Sequence, residues 1–225
     1  RELFKGVDFA IGALPIDLQR IAILDALRAS LEVRDYAGVT ARLNELDIVG
    51  VAPDRRGYLA LLRGRMAQAL GREKDALTDF RAAAASPDRI SASEAKLYEV
   101  ELALKRGEMT EEQAKVELET LAMTWRGDLI EVRTQQQLAR LYEKDGSYRE
   151  ALLAARLATR LQPNAEPTRQ MQDASAALFN ELFNGNKADD MPAVQALALF
   201  YEFRELVPIG RRGDEMIRRL ADRLA

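Results

Sequence analysis

The sequence predicts an all-α protein, a solenoid of antiparallel helix pairs, on three observations. All seven prolines fall between apolar-periodic stretches or at their first turn, where a missing amide hydrogen breaks no helical bond. Between them apolar residues recur at spacings of three and four, and no segment alternates with period two for long enough to be a strand. A small residue followed by two apolar positions returns at steps of 37, 38 and 37 residues, and a period of this size marks a helix–turn–helix repeat.

Each element has its own reason. Residues 1–15 are expected to form an N-terminal helix or the remnant of a preceding repeat. Five helical hairpins follow at about 16–52, 53–90, 91–127, 128–165 and 166–209. Residues 210–225 read as the first helix of a further repeat or a C-terminal cap. In the first hairpin Leu18, Ile21, Leu24, Leu27 and Leu31 form one helix face; Leu97, Val100 and Leu104 do so in the third. Leu138 and Leu141, then Leu152, Leu153 and Leu157, continue the pattern in the fourth. Ser91 with Glu94 has the order of a capping box, Thr110 leads into Glu111 and Glu112, and Asp214 precedes the last run. Gly71, Gly107, Gly146 and Gly185 stand where helices should stop, since glycine takes the left-handed stop conformation readily.

The repeat register rests on four small positions, Val39, Ala76, Ala114 and Ala151. Four residues on come Leu43, Phe80, Leu118 and Ala155, and seven on come Leu46, Ala83, Leu121 and Ala158. With these residues in view the chain resembles the tetratricopeptide repeat (TPR) superfamily, as a piece of a larger bacterial-type member. Gly64, Ala76, Phe80 and Ala83 match the family's small, small, aromatic and small positions in one unit. Leu138, Ala139, Tyr142, Ala151, Ala158 and Pro163 match in another. The other units keep only the apolar spacing, and the periods exceed the family's 34 residues. The resemblance implies a right-handed superhelix whose first helices line a concave groove where ligands lie.

Composition narrows the chemistry. The 225 residues contain no His and no Cys. That leaves no imidazole base, thiol nucleophile, disulfide or iron–sulfur cluster, and no histidine- or cysteine-ligated metal. No nucleotide or zinc-protease motif is present. The acid pairs Glu111-Glu112 and Asp189-Asp190 sit at expected helix starts, where carboxylates oppose the helix dipole. Arg212-Gly213-Asp214 reads as a glycine turn before an Asp cap. We therefore expect no enzyme, no catalytic residues, no cofactor and no metal. A net charge of −3 argues against nucleic acid, and no apolar run is long enough to span a bilayer. The chain lacks an initiator Met and reads as part of a longer protein. Having no Cys, it suits cytoplasm and periplasm alike.

The expected function is non-enzymatic protein–protein interaction: capture of an extended acidic peptide, or of a partner helix, in the groove. Counted through the repeat, Arg28, Arg65, Ala103 and Arg140 occupy one equivalent position on successive first helices. Three guanidinium groups on one side would suit carboxylates. Tyr58, Gln136 and Gln137 would add aromatic and amide contacts, with Lys96, Arg106 and Arg133 flanking and Glu99 and Glu143 as internal neutralisers. Trp125 is expected to pack at a junction between repeats. Phe179, Phe183, Phe200, Tyr201 and Phe203 are expected to fill a thick fifth pair. Met216, Ile217, Leu220 and Leu224 form a stripe with no second helix to cover it. The alternative function is an architectural spacer within a larger repeat protein, self-associating through that C-terminal helix.

Overall fold

The computed structural model describes residues 10–189 and 191–224; most of the 1–15 segment, Asp190 and Ala225 lie outside the described residues. Residues 10–12 are helical. Eleven further α-helices follow: α1 (Ile16–Glu32), α2 (Tyr36–Val49), α3 (Arg56–Ala69), α4 (Glu73–Ala84), α5 (Arg89–Lys105), α6 (Glu111–Thr124), α7 (Leu129–Lys144), α8 (Tyr148–Leu161), α9 (Glu166–Phe183), α10 (Ala193–Glu202) and α11 (Arg211–Leu224). Two 3-10 turns, Pro53–Arg55 and Arg204–Leu206, complete the described structure, which contains no strand. The chain divides into two compact units, Arg1–Ala114 and Lys115–Ala225.

One turn is used four times. Helices α1, α3, α5 and α7 each end with a residue in the left-handed region: Arg34 (φ 57°), Gly71 (φ 75°), Gly107 (φ 70°) and Gly146 (φ 79°). The next amide reaches back to close a Schellman turn: Asp35 N to Ser30 O at 2.8 Å, Arg72 N to Ala67 O at 2.8 Å, Glu108 N to Ala103 O at 2.9 Å and Ser147 N to Tyr142 O at 2.8 Å. The chain thus reverses sharply after each of these helices. Gly185 differs from its expected role, for its φ is not positive. An added Cβ there would sit 2.5 Å from the Glu181 carbonyl oxygen, so glycine is kept for close approach.

Other caps also depart from expectation. Asp88, not Ser91, caps α5, its carboxylate accepting from Ile90 N at 3.2 Å. Ser91 lies inside the helix and donates to Asp88, while Glu94 is free to be used elsewhere. Thr110 and Gln113 make a reciprocal capping box, at 2.9 and 3.2 Å. Asp214 is not a cap, because α11 begins at Arg211. Gly213 is buried there, where an added Cβ would collide with the Pro208 carbonyl oxygen. Asp189 belongs to a turn ahead of α10 and does not start it.

The four small positions are all interior: Val39, Ala76 and Ala114 at 0 % exposure and Ala151 at 3 %. In the first unit one core joins Leu24, Leu27, Val39 and Leu46 to Leu59 and Leu62. A second joins Leu61, Ala76, Phe80 and Ala83 to Ala95 and Leu102. Gly64 lets α3 approach α4 closely, since a Cβ would lie 2.6 Å from two ring carbons of Phe80. In the second unit Phe179, Phe183, Phe200 and Phe203 are buried together, with ring centroids of the first three 4.6–5.7 Å apart. Tyr201 is exposed. Met216 and Leu220 join that same core, so α10 and α9 cover half of the stripe on α11; Ile217 and Leu224 remain exposed. Trp125 is only half-buried, in the turn after α6, where its indole N–H donates to Asp128 at 2.9 Å. A buried indole needs such an acceptor, and Asp128 is at hand as the cap of α7.

Candidate interaction surface

In the first unit, three helices place their charged and aromatic side chains on one face. Helix α1 supplies Arg28 and Glu32, α3 supplies Tyr58 and Arg65, and α5 supplies Glu94 and Tyr98. The Arg28 guanidinium grips the Glu94 carboxylate with two hydrogen bonds, 3.1 and 3.3 Å, while lying 5.9 Å from the centre of the Tyr58 ring. Arg65 repeats the ring contact one helix on, 5.6 Å from the Tyr98 ring centre, but pairs back to Glu32 of α1 with one bond of 2.9 Å. Burial pushes the Tyr58 hydroxyl pKa up, and the neighbouring Arg28 only partly opposes it. The Glu94 pair holds Arg28 firmly protonated against the opposing effect of burial.

The Arg28–Glu94 pair joins α1 to α5 past the intervening α3. This face thus spans α1, α3 and α5. Its arginines are already neutralised, and by Glu94 and Glu32, not by the Glu99 and Glu143 expected from the sequence.

The sequence register also needs correction on α5. Arg28, Arg65 and Arg140 each stand six residues before the left-handed residue that ends their helix. On α5 the same count from Gly107 falls on Glu101, which is half-buried, whereas Ala103 is in the core at 1 % exposure. The α5–α6 turn is two residues longer than the others: Gly107 precedes Ala114 by seven, but Gly71 precedes Ala76 by five. Counting back from the second helix therefore shifts the first by two. The position reads Arg28, Arg65, Glu101, Arg140, with a carboxylate where a neutral residue was expected.

Of the flanking residues, Lys96 pairs with Glu99 at 3.0 Å. Arg106 pairs with Glu73 at 3.1 Å and Glu108 at 2.8 Å. Arg133 and Gln137 are half-buried and engaged.

The second unit holds Gln136 and Arg140, one turn apart on α7. They meet at a shallow cleft of about 70 Å³ between α7, α8 and α9. Its floor is made of small residues, Ala139, Ala151, Ala155 and Ala174, so backbone lies near the surface. On the rim Gln136 Nε2 donates to Gln170 Oε1 at 3.0 Å, and Gln170 in turn donates to Glu166 at 3.2 Å. Glu143, the acid nearest in sequence, is held by Lys187 at 3.0 Å. Arg140 is exposed and makes no ion pair or hydrogen bond among the described residues. Thus Arg28, Tyr58 and Arg65 come together in one unit, and Gln136 and Arg140 in the other. Gln170 was not among the residues the sequence singled out, although it lies 34 residues beyond Gln136.

Among the described residues no group of three acidic side chains is arranged to hold a metal ion, and no helix is long and apolar enough to cross a membrane. No family model matches the chain, and neither a curated protein nor a solved structure matches it.

Proposed function

We propose that the chain is a non-enzymatic interaction module of tetratricopeptide type, its hairpins stacked in a right-handed superhelix, and that the cleft of α7, α8 and α9 receives an extended acidic segment of a partner protein. The observation that carries this reading is Arg140: of the three aligned arginines it alone has no carboxylate partner among the described residues. It stands beside Gln136 and Gln170, whose amides bond to each other and to Glu166, above the alanines of the cleft. The repeated Schellman turn and the Gly64–Phe80 contact support the repeat type.

The test is fluorescence anisotropy of a labelled acidic decapeptide at low and high salt. Arg140→Glu is expected to weaken binding about tenfold, the scale of a charge-assisted bidentate contact. Arg28→Glu is expected to leave it unchanged. Equal binding by the native chain and Arg140→Glu would refute the site. A second reading, that the first unit acts as an architectural spacer, is favoured by its arginines being consumed by its own Glu94 and Glu32.

A further inference from the structure

The turn after α9 contains a pair of residues able to react with each other. Of the five asparagines, Asn44, Asn164, Asn180, Asn184 and Asn186, Asn184 alone precedes a glycine. The backbone nitrogen of the next residue can attack an asparagine side-chain amide. Glycine, with no Cβ, leaves that nitrogen unhindered and the backbone free to turn toward it. Hydrogen bonds oppose the attack in the folded chain. Gly185 N–H donates to Asn180 O at 3.2 Å, so the attacking nitrogen is tied. Asn184 Nδ2 gives its two hydrogens to Asn180 Oδ1 at 3.0 Å and to Arg212 O at 3.4 Å, which fixes the way the amide faces. Arg219 Nη1 donates to the Asn184 carbonyl oxygen at 2.6 Å.

Two of these restraints come from α11. Arg212 and Arg219 are seven residues apart, about two helical turns, and both hold Asn184. Met216 and Leu220 seat α11 on the core of α9 and α10. Glu215 accepts from Arg219 Nε at 3.1 Å, so the guanidinium is aimed from its own helix. Beside the turn lies an open cleft of about 450 Å³, lined by Gly185, Asn186, Arg219 and Arg223, which brings water to it.

We propose that Asn184–Gly185 is a self-modification site governed by α11: closed while α11 is docked, reactive when α11 lifts, and after conversion a barrier to its return. In the open state Gly185 N bonds to Asn184 Cγ. The bond from Cγ to Nδ2 breaks, the Gly185 amide proton passes through solvent to the leaving nitrogen, and ammonia departs. Water then opens the resulting five-membered imide at either carbonyl, leaving aspartate or isoaspartate at position 184. Neither product replaces the amide. A carboxylate has no hydrogens for Asn180 Oδ1 and Arg212 O. The buried Asn184 Oδ1, without a donor among the described residues, becomes part of a charged group. Isoaspartate also adds a methylene to the main chain and moves the carbonyl that Arg219 holds. The site does not depend on the Arg140 cleft.

Peptide mapping by mass spectrometry at neutral pH tests the closed and open states. Conversion at Asn184 is expected to be about tenfold slower in the intact protein than in the urea-unfolded chain, because the reaction waits on local opening. Arg219→Ala should speed it about threefold, the scale of one lost hydrogen bond, and Asn186 should remain unchanged throughout. Arg219 is exposed, and an unchanged circular dichroism spectrum verifies that the variant folds. Hydrogen exchange tests the barrier: the α11 amides should exchange about tenfold faster in Asn184→Asp, on the scale of an unpaired buried charge, and less so in Asn184→Ala. The proposal is overturned by equal conversion in the intact and unfolded chains, or by a rate indifferent to Arg219→Ala. It is equally overturned if α11 is as well protected in Asn184→Asp as in the intact protein, which would mean that an arginine of α11 accepts the new carboxylate.

Discussion

Glu94 illustrates how one side chain changes the meaning of another. Its side chain is only 8 % exposed, while that of its partner Arg28 is 39 % exposed. Removing the arginine strands a nearly buried carboxylate, whereas removing both leaves only packing to recover. We expect Arg28→Ala to cost about 2 kcal/mol in urea unfolding. The Arg28→Ala/Glu94→Ala double variant should cost less than the sum of the singles, with a coupling of about 1 kcal/mol, moderated by solvent at the exposed partner. Additive single costs would mean that the pair contributes nothing. Arg140, with no such partner, should show no coupling to any acid on its own face.

At the scale of the element, the turns carry the argument. Arg34 occupies the conformation that Gly71, Gly107 and Gly146 occupy in the other three Schellman turns. A side chain in the left-handed region is strained, and glycine relieves that strain at some cost in unfolded-chain entropy. Arg34→Gly should therefore stabilise the protein by about 0.5–1 kcal/mol, read as a higher urea midpoint; a lower midpoint would show that the arginine side chain makes a compensating contact.

The last helix behaves differently, since its first turns are tied by charge. Glu215 accepts from Arg218 at 2.7 Å and from Arg219 at 3.1 Å, and these bonds lower its pKa from 4.5 to about 2. A carboxyl whose folded value is depressed adds stability above its unfolded pKa and loses it as pH falls through the folded one. The order of α11 should thus weaken between about pH 4.5 and pH 2. An NMR titration of its amides should show this transition, and Glu215→Gln should remove it.

For the whole molecule, each core described lies within one of the two compact units, and the sole tryptophan, Trp125, lies in the second. Helix formation is spread over both. Gly64→Ala would drive a methyl into the fully buried ring of Phe80 in the first unit, at a cost of about 1–3 kcal/mol. It should lower the unfolding midpoint seen by circular dichroism more than that seen by Trp125 fluorescence, as expected when stability is a sum of local terms. Equal shifts by both probes would make the molecule a single cooperative unit.

The sequence by itself determined the helical class, the places where helices stop and the small residues that pack. These follow from local rules: proline and glycine act on the backbone at their own positions, and Val39, Ala76, Ala114 and Ala151 are interior because apolar periodicity has one solution on a helix. It was equally able to align Arg28, Arg65 and Arg140. Only the tertiary structure decided which of them is neutralised. Glu94 lies 66 residues from Arg28, and their meeting depends on how α1, α3 and α5 pack. The two extra residues of the α5–α6 turn decided that Glu101, not Ala103, shares their register. Charge pairing across helices is set by packing summed over several elements, and no single stretch of sequence contains that sum.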